Sequence, residues 1–237
     1  MNRGFQEVIT YSFVSPEVQQ RIEPRHPVLA LANPLSSDMS VMRTSLWPGL
    51  LAAARQNQAR QQDRVRIFES GLRLVNEDQG LIQDPMLAGL VVGSSEPEQW
   101  HQPARAAGFF DAKADVEAVL RLTGCAASFE FVPAEHPALH PGQTASIVRD
   151  GRSVGLLGML HPAIASDFDI SGDAFLFALQ LVELESGVLP AFAPVSKFPS
   201  IRRDLAILLV DGLRRAGVGQ RGDSAAGLVM LHDPVGQ

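Results

Sequence analysis

Thr144-Ala145-Ser146-Ile147-Val148-Arg149-Asp150-Gly151-Arg152-Ser153-Val154-Gly155-Leu156-Leu157-Gly158-Met159-Leu160 holds two apolar runs, Thr144 to Val148 and Ser153 to Leu160, on either side of Asp150-Gly151. Asp-Gly tolerates positive φ at both turn positions, which a two-residue type I′ hairpin demands, so the stretch predicts an antiparallel strand pair. Outward from it the signal recurs. Phe175 to Val182 predicts a further strand, and Met86 to Val92, apolar on both faces, predicts one inside a sheet. Arg64 to Val75 predicts another, broken at Gly71, and Glu7 to Val14 a first one. Val28 to Leu31 is a short apolar run stopped by Asn33-Pro34.

Helices are fewer. Ser15-Pro16-Glu17 reads as a serine cap with proline in the first turn. From Thr44 to Gln62, Leu46, Leu50, Leu51 and Ala54 recur at helical spacing, and Pro48 sits in the first turn, where it is tolerated. Asp111 is expected to cap a helix carrying Val116, Val119, Leu120 and Leu122, ended by Gly124. Many hairpin-linked strands with few helices predict an α+β fold on a mainly antiparallel sheet.

The proline- and alanine-rich run Leu189 to Pro194 predicts a boundary, giving a core domain over 1–192 and a smaller piece over 193–237. Asp204 to Val210 predicts a strand of that piece. Gly212 to Gln237 is glycine-rich and expected to be poorly ordered, with only Gly227 to Leu231 strand-like.

Of 237 residues, 46% are hydrophobic and 19% charged, enough apolar material for a sizeable core. The net charge of -6 argues against nucleic-acid binding over the whole surface, so any RNA contact is local or made by another chain. The one cysteine, Cys125, makes no internal disulfide or cysteine zinc site and fits a reducing compartment. No signal segment opens the chain and no apolar run spans a bilayer, so the expectation is a soluble, cytoplasmic protein.

Candidate chemistry is sparse. His136 and His140 have the spacing of a helical zinc pair, but Pro137 and Pro141 follow them, and proline disfavours helix in the preceding residue. They read instead as structured loop histidines, like His161 before Pro162. Glu69, in the strand Ile67-Phe68-Glu69-Ser70-Gly71, is either a functional carboxylate or paired with an arginine such as Arg66 or Arg73, or faces solvent. No nucleophile elbow, Cys–His pair or phosphate-cradling loop is present. Lys197, Arg202 and Arg203 form a basic cluster that suits RNA phosphate or a solvated turn.

A series of runs, in order, resembles one family. Gly4 to Phe13, Asn33-Pro34-Leu35-Ser36, Met42-Arg43-Thr44-Ser45-Leu46 and Pro48-Gly49-Leu50-Leu51 are similar to the start and signature of the core domain of bacterial phenylalanyl-tRNA synthetase β subunits. Arg64 to Gly71 resembles its next strand. Phe110 to Glu117 resembles its following helix, with Ala114 where glycine is usual. Leu139-His140-Pro141-Gly142-Gln143-Thr144-Ala145 and Gly155 to Pro162 match two further runs, and Lys197 to Ala206 resembles the opening of the family's ferredoxin-like anticodon-binding domain.

The resemblance implies a class II aminoacyl-tRNA synthetase-like antiparallel sheet flanked by helices, followed by a truncated ferredoxin-like piece that departs from the family after Asp211. It implies a catalytically inert core that supports the α subunit in an (αβ)₂ assembly. Met42, Arg43, Leu46, Trp47, Leu50, Leu51 and Ala54 are expected at the α interface, exposed as an apolar patch in the isolated chain. Lys197, Arg202 and Arg203 are expected at tRNA(Phe), weakly or indirectly. No catalytic, metal or cofactor residue is expected in this chain. ATP and Mg²⁺ are used by the holoenzyme through the α subunit and β domains that precede this region, and without those domains no editing is expected. Inertness agrees with the residues: Phe68-Glu69-Ser70-Gly71 offers a carboxylate where an ATP-binding site wants positive charge, and neither Arg43 nor Arg73 stands in a recognisable catalytic motif. The competing expectation is a stand-alone synthetase-like paralogue that binds an amino acid or nucleotide.

Overall fold

The Asp150-Gly151 turn takes positive φ at both residues, 51° and 76°, as a type I′ hairpin requires. It joins β7 (Leu139–Arg149) to β8 (Arg152–Leu160). A second hairpin joins two strands of 13 residues each, β4 (Val65–Glu77) and β5 (Gly80–Val92). Between the hairpins lies β9 (Ala174–Gln180), and β6 (Phe129–Pro133) and β1 (Gln6–Glu7) stand at the two ends. The seven-stranded order is β1-β4-β5-β9-β8-β7-β6, antiparallel except for β1 beside β4. These features come from a computed structural model that describes residues 3–77, 80–101 and 103–185.

The chain divides into Met1–Ala191 and Phe192–Gln237, and all the described residues belong to the first unit. The expected boundary at Leu189 to Pro194, the strands Asp204 to Val210 and Gly227 to Leu231, the glycine-rich end and the ferredoxin-like piece all lie outside the described residues.

Because side chains alternate across a strand, the register sorts the sheet into two faces. Ile67, Met86, Ala88, Leu90, Leu176 and Ala178 share one face. It is covered by α1 (Pro16–Ile22) and α2 (Trp47–Gln58) through Ile22, Leu46, Leu50, Leu51 and Ala54. Val91, Phe175, Phe177, Leu179 and Leu157 share the other, covered by Ala112, Val116 and Leu120 of α3 (Phe109–Leu122). Two short helices complete the fold, α4 (Pro162–Asp167) and α5 (Leu181–Glu185).

Ser15 caps α1 as expected, accepting from Glu17 N at 3.2 Å. Other boundaries move. The strand expected over Glu7 to Val14 is split: β1 joins the main sheet, whereas β2 (Phe13–Val14) pairs with β3 (Val41–Met42) in a separate two-stranded sheet. The cause is Thr10, whose hydroxyl donates to Glu69 Oε2 at 2.7 Å and turns the chain onto α2. There a Cβ on Gly49 would overlap the Thr10 side chain, so only glycine fits. Gly71 does not break β4; it leaves room for the Arg43 guanidinium.

The helix expected over Thr44 to Gln62 begins later, at Trp47: Thr44 N is taken by Gln19 Oε1 (3.2 Å) and Trp47 N donates to Ser45 Oγ (3.2 Å). It also ends earlier than expected, at Gln58, after which Gln61 turns left-handed (φ 61°) and Gln62 N donates to Asn57 O. Gly108, not Asp111, precedes the first residue of α3; Asp111 reaches back from the first turn to accept Gly108 N at 2.7 Å. The strand expected to Val182 ends at Gln180, where α5 begins. Of Val28 to Leu31, Ala30 makes an isolated bridge to Val41.

The expected apolar patch along α2 is not exposed. Leu46, Trp47, Leu50, Leu51 and Ala54 are at most 2% exposed, because β4, β5 and α1 of the same chain cover them. Arg43 is buried as well, and Met42 is half-buried in β3. These residues serve the chain's own core.

Candidate functional site

Ionisable side chains meet on the sheet face under α1 and α2. Arg43, from the turn before α2, lies against β4: Nη1 donates to Glu69 Oε1 at 2.8 Å and to Thr10 Oγ1 at 3.0 Å, and Nε donates to Leu72 O at 3.0 Å. Both charged groups are buried. Glu69 is therefore paired, but with Arg43 rather than Arg66 or Arg73. Arg66 points to the opposite face and pairs with Asp115 of α3. Arg73 donates Nε (2.9 Å) and Nη2 (2.7 Å) to Asp84 Oδ2, its cross-strand neighbour.

Beside these pairs the sheet face holds a cavity of about 160 Å³. Register places Arg73, Met86, Ala88, Leu156, Ala178 and Gln180 on its sheet side. Leu46 and Trp47 line it from the α2 side, and Glu23 and His136 from loops. The Trp47 indole is fixed by its Nε1, which donates to Phe177 O at 3.1 Å.

Glu23 and His136 are coupled. Ala138 N donates to His136 Nδ1 at 3.1 Å, so the ring proton sits on Nε2, which donates to Glu23 Oε2 at 2.9 Å. Burial pushes the Glu23 carboxyl up, but the hydrogen bonds from His136 and Arg25, with the Arg25 charge, outweigh it and bring the pKa down to about 2. Nearby, Gln19 bridges α1 to Thr44 through both ends of its amide.

The histidines do not converge. His136 is bound to Glu23, His140 Nδ1 accepts Gly142 N at 3.1 Å in β7, and His161 caps α4 by accepting Ala163 N at 3.2 Å. His140 and His161 serve local bonds, His140 within strand β7 rather than a loop, whereas His136 ties its loop to Glu23 across the fold. Among the described residues no three His, Cys, Asp or Glu side chains gather as a metal site. The Cys125 thiol, just past α3, is pulled below the usual range by its hydrogen bond with Thr123 Oγ1, aided by Ser128 and Arg149. Lys197, Arg202 and Arg203 lie outside the described residues.

Sequence reasoning missed Glu23, Gln19 and Gln180. Gln19 and Glu23 stand one helical turn apart, but nothing in the sequence says that this polar edge is buried, since what buries it is His136, 113 residues away.

The model of the phenylalanyl tRNA synthetase beta chain CLM domain matches residues 1–181. The phenylalanine–tRNA ligase beta subunit of Pseudomonas fluorescens is 55% identical over 206 residues, 87% of this chain and 26% of that protein. That of Hahella chejuensis is 47% identical over 232 residues, 98% of this chain and 29% of that protein. The chain thus spans about a quarter of the length of the curated relatives it matches. Among solved structures, the pyrrolysyl-tRNA synthetase of Desulfitobacterium hafniense superposes with a TM-score of 0.57 at 19% identity, over 77% of this chain and 62% of that one. That likeness speaks for an aminoacyl-tRNA synthetase-like fold and nothing further. The family match runs through the residues that build the sheet, both helical layers and the cavity, and this chain belongs to the phenylalanyl-tRNA synthetase beta chain family.

Proposed function

We propose that this chain is a portion of the β subunit of phenylalanine–tRNA ligase that supports the catalytic α subunit, in an (αβ)₂ assembly, during ATP-dependent attachment of phenylalanine to tRNA(Phe). In this reading it is a class II-type core without catalysis of its own. ATP and Mg²⁺ act through the α subunit and other parts of β. Lys197, Arg202 and Arg203 lend a weak or indirect tRNA contact, and the setting is the cytoplasm, where translation runs.

One observation carries the reading: the arginines of β4 and the turn before α2 are each already paired with a carboxylate of this chain. Arg43 is held by Glu69, Arg66 by Asp115 and Arg73 by Asp84. A triphosphate needs cations free to meet developing charge, and taking one of these would strand its partner. Among the described residues no helix is long and apolar enough to cross a membrane.

With the α2 stripe buried, the α contact is proposed on side chains that remain open. Ile9 and Tyr11 flank the anchored Thr10 and are 93% and 71% exposed, and Leu35 is 87% exposed. The set Met42, Arg43, Leu46, Trp47, Leu50, Leu51 and Ala54 then supports this surface from beneath. The test is co-expression with a cognate α subunit and purification on a tag carried by α. Co-elution that is lost in an Ile9→Asp/Tyr11→Asp variant with unchanged melting temperature is the expected result; co-elution insensitive to it refutes the placement.

The stand-alone paralogue keeps one observation in its favour, the cavity itself. As a nucleotide-using enzyme it requires phenylalanine-dependent ATP–pyrophosphate exchange by the chain alone.

A further inference from the structure

The cavity under Trp47 keeps polar atoms that have no partner among the described residues. Arg73 gives Nε and Nη2 to Asp84, leaving Nη1 without a protein partner among the described residues. Gln180 lines the same space, and its side-chain amide has no partner among the described residues either. Both stand on one sheet face: Arg73 pairs across with Asp84, and Gln180 pairs across with Met86, two residues along the same strand. An unspent guanidinium edge and an amide at one wall form a receptor for a carboxylate. Glu23 supplies an anion elsewhere in the lining, with room for another donor beside those from His136 and Arg25. Leu46, Trp47, Met86 and Leu156 add apolar surface to the same lining.

We propose that this cavity is a binding site for a free α-amino acid with an apolar side chain. The carboxylate lies on Arg73 Nη1 and Gln180, the ammonium toward Glu23, and the side chain against Trp47 and Met86. Size and charge select this class. The volume, about 160 Å³, is near the roughly 150 Å³ of a cavity that accepts benzene and well under the 300 Å³ or more of drug-sized sites. One arginine, already half committed, does not balance a triphosphate, whereas a zwitterion brings one charge of each sign. Calorimetry of the chain alone reads no α contact, so the two proposals fail separately.

The test is isothermal titration calorimetry of the full chain with L-leucine, L-methionine and L-phenylalanine, with L-aspartate, inorganic phosphate and ATP as comparators. Saturable binding of at least one apolar amino acid is expected, with none of the comparators bound. Gln180→Leu, which leaves the Arg73–Asp84 pair intact, is expected to weaken binding by about tenfold, the size of one charge-assisted hydrogen bond. Ala178→Leu, which fills the cavity, is expected to abolish it, with a melting curve confirming that each variant is folded. No saturable heat from any apolar amino acid, an affinity unchanged in Gln180→Leu, or tight binding of ATP or phosphate each overturns the proposal. Co-elution with the α subunit is unaffected in every case.

Discussion

At the residue scale the fold is held by charges and close contacts at particular atoms. Glu69→Gln leaves the buried Arg43 guanidinium without its counter-charge, and breaking a buried pair from one side costs about 3–5 kcal/mol. Urea unfolding is expected to show that loss, whereas an effect under about 1 kcal/mol would mean that the pair is solvated. Gly49→Ala is a sharper case, because its sign is unusual. Replacing glycine in a helix interior by alanine ordinarily gains roughly 0.5–1 kcal/mol. Here the added Cβ overlaps Thr10, so the variant is expected to lose about 1–3 kcal/mol, and Thr10→Ala in the same molecule to recover part of it. Glu23 sets a pH dependence. Its folded pKa, about 2, lies below the ordinary value of 4.5, so its contribution is present above pH 4.5 and is lost as pH falls toward 2. That contribution is about 3 kcal/mol. The stability difference between wild type and Glu23→Gln, measured by urea unfolding, is expected to shrink across that window; a difference constant from pH 7 to 3 would contradict the assignment.

At the element scale, α2 decides between core and contact surface. An amphipathic stripe has the same spacing in both roles, so Leu46, Leu50, Leu51 and Ala54 were legible as an apolar face but not as to what covers it. The answer came from β4 and β5, which bury them completely. Leu50→Ala is expected to cost about 2–5 kcal/mol and Leu50→Asp to abolish cooperative unfolding, while Ala52→Asp on the open side of the same helix stays within about 0.5 kcal/mol. A folded Leu50→Asp of normal stability would show that the stripe is not core. Local signals were legible for a local reason: Asp150-Gly151 carries its turn in its own backbone preference, and Ser15 its cap in its own hydroxyl. The split between β1 and β2 was not, because its cause, Glu69, acts on Thr10 from 59 residues away. Likewise nothing near Gly71 told that a guanidinium from position 43 needed the space.

At the scale of the whole molecule, the sheet resembles that of a synthetase while its arginines are turned inward to carboxylates. The antiparallel α+β frame was legible from hairpin spacing, and the family from the order of short runs. The cavity was not, since Glu23, Arg73, His136 and Gln180 come from four separate elements that only the folded sheet brings together. Under the proposed function this sheet supports a partner's chemistry and performs none. Phenylalanine-dependent ATP–pyrophosphate exchange by the purified chain tests it most directly. The expected rate is no higher than that of a blank without protein, even at saturating ATP, Mg²⁺ and phenylalanine. Exchange that requires phenylalanine and persists through repeated purification of the chain alone would contradict it.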